Sequence, residues 1–101
     1  MPIKKKVVWS PQSEFDFSHI LEYLEFKWNR AVVNQFLDVT SKTIDWIVSN
    51  PRQFQFANKK RGIRKCVITK QNTIYFREKR NSIEVVRIFD TRQNPTKLKW
   101  T

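Results

Sequence analysis

The side chains of this sequence best equipped for chemistry are its arginines and lysines, and they crowd into one half. Of twenty basic residues, thirteen lie beyond residue 58, where only three of the nine acidic residues accompany them. So unbalanced a segment projects a positive field suited to a polyanion: nucleic acid, a ribosomal surface or an acidic protein segment. Arg64, Arg87 and Arg92 carry planar guanidinium forks that pair bidentately with phosphate, which makes them the candidate catalytic residues for stabilising charge on a phosphodiester. Together with Lys59, Lys60, Arg61, Lys65 and Lys97 they form the candidate surface for nucleic acid or another macromolecular target. Arg87 is singled out by its apolar neighbours Val85, Val86, Ile88 and Phe89. A charge in such a setting is costly unless paired, so Arg87 is expected to serve function or to meet a partner. For Arg64 and Lys65 a plain role as solvated strand residues is equally open, as is a pairing of Arg92 with Asp90. Lys59-Lys60-Arg61 reads first as a solvated loop and second as a phosphate contact.

The remaining reactive side chains offer less. His19 is the single histidine, and no acidic or nucleophilic partner stands beside it in a recognisable motif. It reads as a surface residue of a helix. Tyr75 reads first as a strand residue packed beside Phe76 and second as a general base. Cys66, the only cysteine, lies in an apolar stretch and reads as a core thiol. With no second Cys or His nearby, neither a metal site nor a cofactor is expected. Trp100 has a ring on which a base can stack, but one residue from the end it reads as frayed or packed.

The bulk properties bound the class. With 101 residues, 40% of them hydrophobic, the chain suits one domain over residues 1–101 with a modest core. A lone cysteine excludes an internal disulfide framework and fits a reducing compartment. The basic N-terminus lacks the apolar stretch of a signal peptide, and no apolar run reaches the length of a membrane span. A cytoplasmic protein without membrane partner or small-molecule substrate is the expectation.

The elements that must position the basic residues follow from periodicity. Ile3 to Trp9 reads as a strand. Ser10-Pro11 signals a helix start, with Ser as cap and Pro at the first position. Phe17, Ile20, Leu21, Leu24 and Trp28 then recur at helical spacing, predicting a helix over 11–28 with Glu14, Asp16, Glu22, Glu25 and Lys27 on its other faces. Asn29 breaks it and caps a second helix, striped by Val33, Phe36, Leu37, Thr40, Ile44, Ile47 and Val48, with Val32, Val39 and Trp46 beside them. Asn50-Pro51 ends this helix. Residues 51–62 read as a loop with a short strand at Phe54-Gln55-Phe56. Strands are predicted over Ile63–Ile68, Thr73–Lys79 and Ser82–Phe89, joined by turns short enough to make them antiparallel. In the last, Ile83, Val85, Arg87 and Phe89 should share one face, and Glu84, Val86 and Ile88 the other. Apolar residues on both faces predict an interior strand. The fold class is therefore α+β in two layers: an N-terminal strand, then an antiparallel helical hairpin packed on a mainly antiparallel sheet of four to five strands.

This order, with Trp9-Ser10-Pro11, Ile44 to Asn50-Pro51, Ile63-Arg64-Lys65, Ile74-Tyr75-Phe76 and Val86 through Pro95 as landmarks, resembles the RelE/ParE toxin superfamily over residues 7 to 98. The resemblance implies the toxin of a type II toxin–antitoxin pair, neutralised by a cognate antitoxin that wraps its basic or apolar surface. It also implies one of two activities, cleavage of messenger RNA at the ribosome or inhibition of DNA gyrase. RNA-cutting members place Arg where this chain has Thr73, and a Tyr or His in a tail that here reads Arg92-Gln93-Asn94-Pro95-Thr96-Lys97-Leu98. Both departures favour ParE-like gyrase inhibition. A metal-independent, ribosome-dependent endoribonuclease leaning on basic residues alone is the alternative, and a non-toxic nucleic-acid-binding domain the third reading.

Overall fold

A computed structural model describes residues 5–91. Strand β1 (Lys6–Trp9) leads into helix α1 (Pro11–Lys27), and helix α2 (Arg30–Ser49) follows after two residues. A single 3₁₀ turn (Pro51–Gln53) precedes β2 (Phe56–Asn58), β3 (Ile63–Thr69), β4 (Asn72–Glu78) and β5 (Ser82–Asp90). The five strands form one sheet in the order β1-β5-β4-β3-β2, antiparallel except where β1 runs parallel to β5. This is the expected α+β order, with β5 in the interior of the sheet between β1 and β4.

Local chemistry sets the boundaries. Ser10 Oγ accepts the Ser13 N–H at 3.0 Å, Pro11 takes the first helical position, and Glu14 lies in the first turn where the helix dipole favours an anion. The same Ser10 ties the cap to the sheet: its N–H donates to the Val85 carbonyl at 3.0 Å and its hydroxyl to the Val86 carbonyl at 2.8 Å. Asn29 Oδ1 accepts the Val32 N–H at 3.0 Å and starts α2.

The core lies between the helical hairpin and one face of the sheet. Phe36, Ile47, Cys66, Ile74, Phe76 and Val85 are among its buried members, and Phe17, Ile20, Leu21 and Leu24 of α1 pack against them. Three expectations change on this scaffold. The strand foreseen at Phe54-Gln55-Phe56 starts at Phe56, because Phe54 is drawn into the core. Its ring makes edge contacts with Trp46 at 4.9 Å and Phe76 at 5.6 Å. Trp28 is 63% exposed rather than part of the buried stripe, since the helix ends before it. The alternation foreseen in β5 breaks at a β-bulge. Tyr75 opposes Arg87 while the next residue, Phe76, opposes Val85, which leaves Val86 as the extra residue. Val85 and Ile88, three apart, therefore both join the core. Arg87 does not share the face of Ile83 and Val85.

Two glutamates of the basic half are each held by a pair of cations. Glu78 accepts from Lys5 at 2.8 Å and Arg52 at 3.1 Å, and Glu84 meets Arg77 at 2.8 Å and Lys79 at 3.5 Å.

Candidate target-binding surface

Lys59, Lys60 and Arg61 are exposed in the turn between β2 and β3. The turn is ordered by its own hydrogen bonds. Asn58 Oδ1 accepts the Arg61 N–H at 3.1 Å, and the Gly62 N–H donates to the Lys59 carbonyl at 3.1 Å. Gly62 takes a φ of +70°, a left-handed conformation that glycine adopts without steric cost. None of the three cations has an acidic partner among the described residues. Lys65 is likewise exposed and without such a partner. Burial and sheet order place this group at the β2 edge of the sheet, the edge opposite β1.

Arg64 behaves differently. Its Nη1 donates to the Phe54 carbonyl at 2.6 Å and to the Arg52 carbonyl at 3.3 Å, and its guanidinium lies 3.9 Å from the centre of the Phe56 ring. It staples the segment that links α2 to β2. Arg92 and Lys97, with Trp100, lie outside the described residues.

Arg87 is closed in by α1. Its Nε donates to Asp16 Oδ2 at 2.7 Å and its Nη2 to Asp16 Oδ1 at 3.1 Å, with the two side chains only 13% and 9% exposed. The Ile88 N–H donates to the same carboxylate at 3.1 Å. Asp16 thus answers, from within the chain, the desolvation cost that marked Arg87 in the sequence. Its role was missed because helical periodicity places it off the main apolar stripe. The one available signal was a carboxylate between Phe15 and Phe17.

Strand register brings Lys65, Tyr75 and Arg87 into one row across β3, β4 and β5, with Thr73 two residues along β4, opposite Val67 and Phe89. Burial pushes the Tyr75 phenol above its ordinary pKa, which reinforces the protonated form a phenol already holds at neutral pH. Burial also pushes up the Cys66 thiol, which favours the unreactive protonated form. His19 is exposed and packs against Phe15 with ring centroids 4.2 Å apart and planes tilted by 45°. Among the described residues no group of three or more His, Cys, Asp or Glu could hold a metal ion, and no helix is long and apolar enough to cross a membrane. The arrangement offers rigidly presented cations for binding a polyanion, and at the tyrosine row a proton donor flanked by positive charge.

Comparisons with known proteins agree with the architecture. The sequence profile of the ParE toxin of the type II toxin–antitoxin system parDE matches residues 7–95. Among solved structures, the chromosomal ParDE toxin–antitoxin system from P. aeruginosa contains a chain that superimposes with a TM-score of 0.73 at 13% identity, covering 86% of this chain and 96% of that one. A search of curated protein sequences returns no match.

Proposed function

Because the chain belongs to the ParE toxin family of type II toxin–antitoxin systems, we propose that it is a toxin that acts by binding its target rather than by cutting RNA. DNA gyrase is the expected target, and a cognate antitoxin neutralises it. The observation that carries this reading is the state of Arg87. Arg87, one of the three candidate catalytic arginines, is held bidentately by Asp16 at 2.7 and 3.1 Å, so its charge is already compensated. Thr73 stands two residues away along β4, at the position where the resemblance implies an Arg in RNA-cutting members. Exposed cations with no acidic partner among the described residues include Lys59, Lys60, Arg61 and Lys65, clustered on a surface suited to electrostatic capture of a large anionic partner.

One feature favours a ribosome-dependent endoribonuclease as the second reading. Tyr75, a proton donor at neutral pH, stands in register between Lys65 and Arg87. Inducible expression, with mapping of message 5′ ends and of DNA breaks, separates the two. Binding to gyrase predicts growth arrest with DNA breaks and intact messages, unchanged by Tyr75→Phe. New cuts inside translated codons, lost in Tyr75→Phe, would overturn it in favour of cleavage.

A further inference from the structure

Between Asp45 and Glu78 the sequence carries eight basic residues and no acidic one. In the fold, Glu78 reaches back to Arg52 and Glu84 to Arg77. Lys59, Lys60, Arg61 and Arg64 have no acidic partner among the described residues. The first three are exposed, and Arg64 spends its hydrogen bonds on the Arg52 and Phe54 carbonyls, which leave its charge in place.

Two flat rings stand in this positive field. Phe56 lies opposite Arg64 in the β2–β3 register, so the two side chains share a face, and the guanidinium covers one side of the ring at 3.9 Å. Phe56 is still 38% exposed. Trp46, near the end of α2, is 54% exposed and is held by an edge contact with Phe54 at 4.9 Å. Phe54 precedes Phe56 by two residues, at most about 7 Å of chain, and its carbonyl accepts from Arg64 at 2.6 Å. The exposed rings therefore flank one anchored segment. Lys59 follows Phe56 by three residues, about 10 Å of extended chain. A group resting on Phe56 is thus within reach of the long side chains of the turn.

Charge and shape together select the occupant. A second copy of a chain of net charge +11 would be repelled from this edge. An acidic peptide would answer the cations but would leave the flat rings without a matching surface. A duplex offers phosphates but keeps its bases stacked on one another. An unpaired strand supplies both a row of phosphates for the cations and a π-face on every base for the rings. A base laid on Phe56 would extend the stack that Arg64 begins.

We propose that the β2 edge is a binding site for single-stranded DNA, with Phe56 and Trp46 as stacking platforms and the Lys59–Arg61 turn holding neighbouring phosphates. The inference rests on the gyrase reading above only for the choice of DNA over RNA, because stacking and phosphate contacts by themselves read neither base nor sugar.

Fluorescence anisotropy of labelled strands of about 15 nucleotides, titrated with the full chain, tests it. A thymidine strand should bind more tightly than a duplex of equal length, and about tenfold more tightly than an abasic strand carrying the same phosphates. This comparison uses the unaltered chain and so does not depend on a variant folding. Phe56→Ala should abolish the preference for base-bearing over abasic strands, and Phe56→Tyr should keep it. Lys59→Gln, Lys60→Gln and Arg61→Gln together should flatten the slope of log affinity against log salt by about 2. Equal affinity for the abasic strand or the duplex would overturn the proposal and leave plain attraction to phosphate. Binding confined to a uridine RNA strand would overturn the choice of DNA, and competition by polyglutamate as effective as by DNA of equal charge would assign the surface to an acidic protein. No gyrase enters the assay, so each of these failures is separate from failure of the toxin reading, which growth arrest and DNA breaks decide.

Discussion

Asp16 commits both carboxylate oxygens to β5, taking Nε and Nη2 of Arg87 and the Ile88 amide. Breaking a buried ion pair by removing one partner leaves the other charge uncompensated, which costs about 3–5 kcal/mol. Asp16→Ala should therefore lower the denaturation free energy by that order and shift the urea midpoint accordingly. Asp16→Asn should lose less, because its side-chain oxygen still accepts one hydrogen bond. A stability equal to the unaltered chain in Asp16→Ala would show that the pair contributes nothing. Gly62 gives a cleaner case. No atom stands within 4 Å of the place a Cβ would occupy, so the cost of Gly62→Ala comes from the φ of +70° alone. About 1 kcal/mol is expected for a non-glycine residue held there, measurable in the same urea titration.

At the scale of elements, the β2–β3 turn and helix α1 divide the work. The turn holds Lys59, Lys60 and Arg61 exposed and ordered without contributing to the core. Replacing all three by glutamine should change stability by no more than about 0.5 kcal/mol, as surface substitutions do. It should nevertheless weaken growth arrest. In a target-binding assay the deficit should be largest at low salt, since steering by exposed charge is screened as ionic strength rises. A variant as toxic as the parent at equal expression would remove the turn from the target-binding surface. Helix α1 carries opposite chemistry, with net negative charge and aromatic side chains, and a single polyanionic ligand would not cover both surfaces favourably.

For the whole molecule, a +11 chain folds with its acidic residues in strategic places. Glu78 is held below the ordinary carboxylate range, mainly by the hydrogen bond from Lys5, with burial opposing and Arg52 assisting. At Glu84 burial alone would raise the pKa, but the hydrogen bonds and charges of Arg77 and Lys79 outweigh it and the value falls. A folded-state pKa below the unfolded one means that the stabilisation is fully present above the ordinary Glu value of 4.5 and is lost as pH falls through the lower folded value. Thermal midpoints should therefore be flat above that value and drop below it. Glu84→Gln should start from a lower midpoint and lose part of the acid slope. An unchanged slope would mean that Glu84 titrates alike in both states.

Much of this is legible in the amino-acid sequence alone. Ser10-Pro11, Asn29 and Asn50-Pro51 carry their capping and breaking chemistry locally, so the helix limits follow from residue type. The apolar periods of α2 and the short turns of the meander dictate an antiparallel sheet under a helical hairpin. The concentration of cations beyond residue 58 is a property of composition. What the order of residues could not decide depends on contacts between distant segments. Asp16 and Arg87 are 71 residues apart, and their pairing requires β5 to outrun β1 so that α1 can reach its edge. The bulge at Val86 exists because β4 offers one residue fewer than β5 between Tyr75 and Phe76, a mismatch that alternation within a single strand does not contain. The stripe from Phe15 to Phe26 has helical spacing in the sequence, but spacing assigns residues to a face without saying what covers that face. Only the packing of α1 through Phe17, Ile20, Leu21 and Leu24 leaves the aromatic stripe in solvent, because a helix can turn only one of its faces to a core on one side.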